Sequence, residues 1–157
     1  MPERKIPELR FVENSDLWVT TGRTADLETE AGVSKAMSDM RRDAKQIAAN
    51  FLSDALERYA SVHAGQLPAD VSELKPFFRF RDDTILQRYQ MLNAGDGSSP
   101  QSPEKIMAEK SPVDAQYDTL FQIRVGGWSW RGVGANKEYQ GGGGRNVSLT
   151  AAQPDAK

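Results

Sequence analysis

The side chains best able to perform chemistry are the carboxylates and a single histidine, because the chain contains no cysteine. Thiol catalysis, disulfides and thiolate metal sites are therefore excluded. His63 stands four residues after Tyr59, with no carboxylate or nucleophile placed in the sequence to work with it. A general base needs such a partner. We therefore interpret His63 as a helix-end residue favoured by the helix dipole.

Two pairs of carboxylates are spaced closely enough to suggest a site. Asp82 and Asp83 are adjacent, and Asp114 and Asp118 stand four apart. A carboxylate-based hydrolase needs two such groups at a defined separation across a cleft, and this is a remote alternative. Asp114 and Asp118, with loop carbonyl oxygens, could instead supply hard oxygen ligands to Ca²⁺, although their spacing matches no EF-hand. Ca²⁺ is the only cofactor that the sequence suggests, and we predict no catalytic residues.

Trp128 and Trp130 stand two residues apart, which places both indoles on one face of a strand. They could stack on a sugar or a base, but filling the core is the expected role. The GGGGR run at 141–145 lacks the Lys-Ser/Thr of a phosphate-binding loop, so we interpret it as linker. The sequon Asn146-Val147-Ser148 is a pattern that chance often produces.

Composition limits the class of protein. The 157 residues suit one domain with tails, and 20 basic against 22 acidic residues give a net charge of −2. Without a basic excess the surface is not suited to nucleic acid. No apolar run approaches the length of about 20 residues that spans a bilayer, so we expect no membrane span in this chain.

The element that must position these residues is a long amphipathic helix between Gly32 and Gly65. Its apolar side chains recur every three or four residues, which is the helical period. The stripe is narrow at first and widens from Ile47, as in a helix whose second half enters a larger core. Gly65 suits the left-handed residue after the helix, and Pro68 prevents its continuation. The stripe consists of Val33, Met37, Met40, Ala44, Ile47, Phe51, Ala55, Tyr59 and Val62.

The narrow part of this stripe, residues 33–44, is the candidate interaction surface, and we assign Val33, Met37, Met40 and Arg41 to it. If nothing in the chain covers it, it docks a protein partner or a second copy of the chain. The alternative is that the N-terminal arm lies over it through Phe11, Leu17 and Trp18, and the sequence does not choose between the two.

The remaining pattern predicts an α+β fold. A short helix follows Pro68 and ends at Pro76, and strands are expected at Arg88–Leu92 and Ile106–Glu109. A hairpin follows, turning at Gly126-Gly127, with Val125 opposite Trp128 and Ile123 opposite Trp130. We predict an N-terminal arm at 1–25 with a possible strand near Leu9–Val12. One domain follows at 26–134, with the long helix packed on three or four antiparallel strands, and then a flexible Gly-rich tail at 135–157.

The stretch NFLSDALERYASVHAGQLPADVSELKPFF resembles the end of the long helix and the following loop in type IV pilins and type II secretion pseudopilins. There a helix ends in Tyr, followed by a Gly-containing turn, Leu/Tyr-Pro and a small helix near an aromatic residue. The matching residues here are Leu56, Tyr59, Gly65, Leu67, Pro68, Leu74, Pro76 and Phe77. The expected helix and small antiparallel sheet are also similar to the soluble pilin headgroup.

The resemblance implies a structural, non-enzymatic subunit of the cell envelope or exterior, sometimes with Ca²⁺ bound in the sheet loops. The chain departs from the family in having no prepilin leader and a charged Val33–Ala44 where the family is hydrophobic. Arg79–Asp83 replaces the usual turn after the small helix. The chain also looks like C-terminal regions of larger bacterial proteins, so a ligand- or Ca²⁺-binding accessory domain is the alternative function.

Overall fold

The computed structural model describes residues 5–13, 15–80, 83–92 and 107–144. Within them a 33-residue helix packs on a five-stranded antiparallel sheet, so the predicted α+β class is confirmed. The helices are α1 (Leu17–Thr24) and α2 (Glu30–Val62), with short 3₁₀ helices at Pro7–Phe11, Val71–Leu74 and Leu86–Arg88. The strands are β1 (Tyr89–Met91), β2 (Met107–Glu109), β3 (Tyr117–Arg124), β4 (Gly127–Gly134) and β5 (Gln140–Gly144).

The ends of α2 follow from local chemistry. The Thr29 hydroxyl accepts a hydrogen bond from the Gly32 N–H at 3.0 Å and caps the first turn. The fold requires glycine at position 32, because the Asp26 carbonyl approaches so closely that a Cβ on residue 32 would lie 1.8 Å from its oxygen. At the other end Gly65 adopts φ +83°, the left-handed conformation predicted for it.

The sheet follows the simplest order, β1-β2-β3-β4-β5, with every neighbouring pair antiparallel. The predicted strands at 88–92 and 106–109 correspond to β1 and β2, although Ile106 lies outside the described residues. The prediction of a flexible tail from 135 is wrong at 140–144, because these residues form the fifth strand.

The β3–β4 hairpin has a register different from the predicted one. Ile123 faces Trp128 and Phe121 faces Trp130, so the two-residue turn is Val125-Gly126 rather than Gly126-Gly127. Gly126 has φ +78°, whereas Gly127 already belongs to β4. The register moves by two residues in total, so both tryptophans stay on the predicted face of the sheet.

The core lies between the second half of α2 and the inner face of the sheet. Leu52 and Leu56 are fully buried in one cluster with Phe121 and Ile123 of β3, and Tyr89 of β1 and Met107 of β2 belong to the same cluster. This confirms that the wide apolar half of α2 covers the tryptophan hairpin. The 3₁₀ helix Val71–Leu74 closes one side of this core, at the place predicted for the small helix.

The N-terminal arm forms a 3₁₀ helix at Pro7–Phe11, so the strand predicted near Leu9–Val12 is wrong. Ile6, Leu9 and Val12 repeat every three residues, which aligns them on one side of a 3₁₀ turn. They are buried against Ala44 of α2. The arm therefore covers the middle of α2.

No helix in the part of the chain that the structure describes is long and apolar enough to cross a membrane. Several predictions fall on residues outside that part. These are Asp82, the surface loop at Asn93–Pro103, the sequon at 146–148 and the tail at 145–157.

Candidate functional site

Six charged side chains meet where α2, the sheet and the N-terminal arm join, and we name them the buried ionic network. All except Arg88 are buried, and their formal charges cancel. Buried charges are rare unless they are paired, so this cluster is the most distinctive chemistry of the fold. Its members are the acids Glu8, Glu109 and Asp118 and the bases Arg41, Lys45 and Arg88.

Lys45 occupies the centre of the buried ionic network. Its Nζ lies 3.1 Å from both carboxylate oxygens of Asp118 and 2.8 Å from Glu109 Oε1. It also donates to the Thr119 carbonyl at 2.7 Å. An ammonium group carries only three protons, so these acceptors use all of its donor capacity.

Arg41 lies one helical turn before Lys45 and faces the same carboxylate. Its Nε is 3.5 Å from Asp118 Oδ1, and its Nη2 donates to the Tyr117 carbonyl at 2.7 Å. Asp118 Oδ2 also accepts a hydrogen bond from the Val113 N–H at 2.7 Å. The four-residue spacing on α2 thus directs two cations at one residue of β3.

Arg88 connects the N-terminal arm to the sheet. Its Nη1 lies 2.6 Å from Glu8 Oε1, and its Nη2 pairs with Glu109 Oε1. The second oxygen of Glu109 accepts from the Phe121 N–H at 3.2 Å. Arm, helix and sheet are therefore joined through shared carboxylates.

For the ionisable groups of this network, burial and the neighbouring opposite charges shift the pKa in opposite directions. Burial raises the pKa of Glu109, and the cations Lys45 and Arg88 only partly offset it. For Arg88 burial lowers the pKa, but Glu8 and Glu109 outweigh it, so the net pKa is raised. Burial also raises the pKa of the Tyr89 hydroxyl well above its usual value.

Hydrogen bonding in and around the buried ionic network is incomplete. The buried atoms Glu8 Oε2, Arg41 Nη1, Tyr89 Oη and Thr119 Oγ1 have no hydrogen-bond partner among the described residues. A buried polar atom without a partner costs about 1–3 kcal/mol. The cluster is therefore not a fully satisfied network.

The structure separates the roles of the two predicted Ca²⁺ ligands. Asp114 is partly exposed, and its Oδ1 accepts from the backbone N–H groups of Gln116 and Tyr117. Asp118 lies between Lys45 and Arg41, which would repel a further cation. No group of three or more His, Cys, Asp or Glu suited to a metal occurs in the described residues. Ca²⁺ binding at these residues stays a prediction, and the charges beside Asp118 count against it.

The four residues of the predicted interaction surface do not share one environment. Val33 is 42% exposed and Met37 is half-buried, but Met40 and Arg41 are buried. Met40 and Arg41 therefore cannot belong to an exposed docking stripe. The reason is that α2 turns Arg41 toward Asp118.

The arm covers the stripe only in part. Its buried side chains reach Ala44, with Leu17 packed against the same small cluster. Trp18, expected to be pinned on the long helix, is 40% exposed. The predicted cover by the arm thus holds near Ala44, whereas Val33 is left exposed, and docking at that end of the helix stays a prediction.

The other candidate residues lie apart from the network. His63 is exposed; its Nδ1 is 2.8 Å from the Tyr59 carbonyl oxygen and its ring stacks on that of Tyr59. Asp83 pairs with Lys75 at 2.6 Å. Trp128 is buried and donates to Asn50 at 2.7 Å, which confirms its core role. Trp130 is half-buried, with the Arg42 guanidinium 5.7 Å from its ring centre.

A groove of about 410 Å³ lies on the sheet where β4 meets β5. Its lining combines polar side chains with the indole of Trp130, and Arg131 is the only charged residue among the described residues that line it. The lining residues are Gln122, Ser129, Trp130, Arg131, Gln140 and Gly141.

No known family matches this chain. Comparisons with protein families, with curated proteins and with solved structures all found no match. Conclusions about function therefore depend on the geometry of the chain itself.

Proposed function

We propose that this chain is a non-enzymatic protein-interaction module that associates with a second copy of itself. The contact surface, which we name the hairpin patch, consists of Trp18, Val19, Leu27 and Val33. Trp18 and Val19 lie on α1, Leu27 lies between α1 and α2, and Val33 lies at the end of the first turn of α2. All four are exposed apolar side chains.

The observation that carries the proposal is that α1 has no buried residue, although it begins Leu-Trp-Val. An eight-residue helix is only marginally stable by itself, and of α1 the half-buried Leu17 packs against a core cluster while Trp18 and Val19 are exposed. Covering its apolar side chains would stabilise it by removing them from water. Exposed apolar side chains that form a continuous patch are typical of association surfaces.

A second copy fits this surface better than an unrelated molecule because of the pattern on α2. Val33 and Met37 are four residues apart and continue the narrow seam, which is the spacing by which like helices pair. Exposed charges of both signs flank it, including the Lys35–Asp39 pair at 3.1 Å. Two copies of such a helix can offer each other opposite charges.

The distribution of ionisable groups supports a non-catalytic role. The charges of the buried ionic network are paired with one another, and all except that of Arg88 are buried. The groove beside β5 contains one guanidinium and no carboxylate or histidine. An active site normally places several ionisable groups at a cavity. The carboxylate-based hydrolase therefore has little support in this geometry.

The similarity to pilin and pseudopilin headgroups is a finer part of the same proposal. It is supported by a long helix packed on an antiparallel sheet, and by the short helix Val71–Leu74 followed by Phe77 and Phe78. In this form the chain would be a structural subunit of an assembly. An accessory Ca²⁺-binding domain is not favoured by any contact described above.

Sedimentation velocity over a wide concentration range tests the proposal. We expect the wild-type chain to self-associate and Val33→Asp to remain monomeric, because a buried carboxylate without a partner opposes the contact. Val62→Asp is the matched control, since Val62 is 68% exposed at the opposite end of the same helix. A wild-type chain that stays monomeric throughout, or a Val33→Asp chain that associates normally, would contradict the proposal.

A further inference from the structure

The sheet ends in a strand whose outer edge is almost bare main chain. β5 pairs with β4 on one side, and no described strand pairs with its other side. Four of its five residues are glycine. Within the part of the chain that the structure describes, alternate N–H and C=O groups along that edge are therefore available to an added strand.

Packing inside the sheet requires these glycines. A Cβ at Gly141 would lie 2.8 Å from the indole of Trp130, and one at Gly143 would lie 2.6 Å from the indole of Trp128. A Cβ at Gly142 would lie 2.9 Å from the Trp128 carbonyl oxygen. Proteins often protect edge strands with charged side chains such as Lys, or with Pro. Here the tryptophans exclude such protection.

The groove beside this edge contains an unpaired cation. Arg131 is directly opposite Gln140 in the β4–β5 register, and its side chain is exposed. It has no hydrogen-bond or ion-pair partner among the described residues, and the other residues lining the groove are neutral. An added strand would lie two strand spacings, about 9.5 Å, from β4. Extended Arg and Glu side chains together cover that distance.

We propose that β5 binds an extended protein segment as a sixth strand, with an acidic side chain of that segment paired to Arg131. Main-chain hydrogen bonds supply the affinity, and the carboxylate selects the position along the edge. A second copy of β5 is a poorer occupant, because this strand carries no carboxylate to meet Arg131. The inference is distinct from the proposed self-association, which uses the hairpin patch.

Two blocked peptides test the proposal with the full chain. Both alternate Thr and Val, and they differ only in a central Glu or Gln. We expect the Glu peptide to bind about tenfold more tightly than the Gln peptide, with the amide signals of β5 shifting in the NMR spectrum. Arg131→Gln should abolish that preference. Arg58→Gln, an exposed arginine on α2, should retain it.

A third peptide, the Glu peptide with alternate backbone nitrogens methylated, tests strand addition itself and should not bind. The proposal is overturned if neither unmodified peptide binds at millimolar concentration, if the methylated peptide binds equally well, or if Arg131→Gln keeps the preference. It is also overturned if β5 signals shift with protein concentration alone, which would identify a second copy as the occupant. Val33→Asp should bind the Glu peptide normally, so this proposal and the proposed self-association can fail separately.

Discussion

Lys45 shows how strongly one buried charge depends on its partners. It contacts two carboxylates from different strands, and all three side chains are inaccessible to water. Ion pairs of this kind add little net stability when intact, because desolvating the charges offsets their attraction. Their importance appears when one member is removed, since the others are then buried without compensation.

We therefore expect Lys45→Met to destabilise the fold by about 3–5 kcal/mol. Glu109 and Asp118 would both lose their shared cation. Lys35→Met is the matched control on the same helix, because the Lys35–Asp39 pair is largely exposed and should change stability by less than about 0.5 kcal/mol. Urea denaturation measures both variants, and equal losses would show that the buried ionic network is not the cause.

Removing the unpaired hydroxyl of Thr119 should stabilise the fold, in contrast to removing the Lys45 ammonium group. Thr119 is buried on β3, and its Oγ1 has no hydrogen-bond partner among the described residues. Thr119→Val replaces the hydroxyl by a methyl group of similar size and keeps the β-branched shape. We expect a gain of up to about 1 kcal/mol in the free energy of unfolding. A loss of that size in thermal or urea denaturation would mean that the hydroxyl is hydrogen-bonded in solution.

At the scale of elements, α2 shows what its sequence does and does not specify. Its length, its end shortly before Gly65 and its apolar second half follow from the helical period and from turn chemistry. Its rotation in the first half does not. Val33 and Met37 lie on the predicted apolar face without being buried, whereas the buried face includes Arg41 together with Met40.

The signal that could have located the buried face is a second stripe on α2. Ser34, Ser38, Arg41 and Lys45 continue at three- and four-residue steps into Ala48 and Leu52. Two cations in such a stripe are expected on a solvent-facing side. The two cations can be buried only because Glu109 and Asp118 lie on strands that face α2 and pair with them. A single sequence does not reveal that long-range pairing.

The glycine-rich strand β5 was missed for a related reason. Glycine is depleted in strands, so a four-glycine run predicts linker. In the fold the indoles of Trp128 and Trp130 lie across Gly143 and Gly141 and supply the apolar cover that the strand lacks. Cross-strand packing thus overrides local propensity.

We expect Gly143→Val to displace β5 and destabilise the fold by about 1–3 kcal/mol, because its side chain would overlap the Trp128 ring. The tryptophan fluorescence spectrum should shift as the indole changes its surroundings. Gly22→Ala is the control, since nothing lies within 4 Å of a Cβ at that position and α1 should gain slightly. An unchanged emission spectrum with normal stability in Gly143→Val would contradict the assigned packing.

At the scale of the whole molecule, charge and apolar surface are distributed in an unusual way. The strongest ion pairs lie inside, where they join the arm, α2 and the sheet. Three of the large apolar side chains that are exposed to solvent, Trp18, Val19 and Val33, belong to α1 and the start of α2. The exposed apolar side chains are the basis of the proposed self-association.

Hydrogen–deuterium exchange of the full chain at low and high protein concentration tests the central claim most directly, because it locates the contact as well as detecting it. We predict that amides of α1 and of the first turns of α2 become more protected at high concentration. Amides beside Lys45 and in β3 should be equally protected at both concentrations. Identical exchange of α1 at the two concentrations, or added protection elsewhere only, would contradict self-association through the hairpin patch.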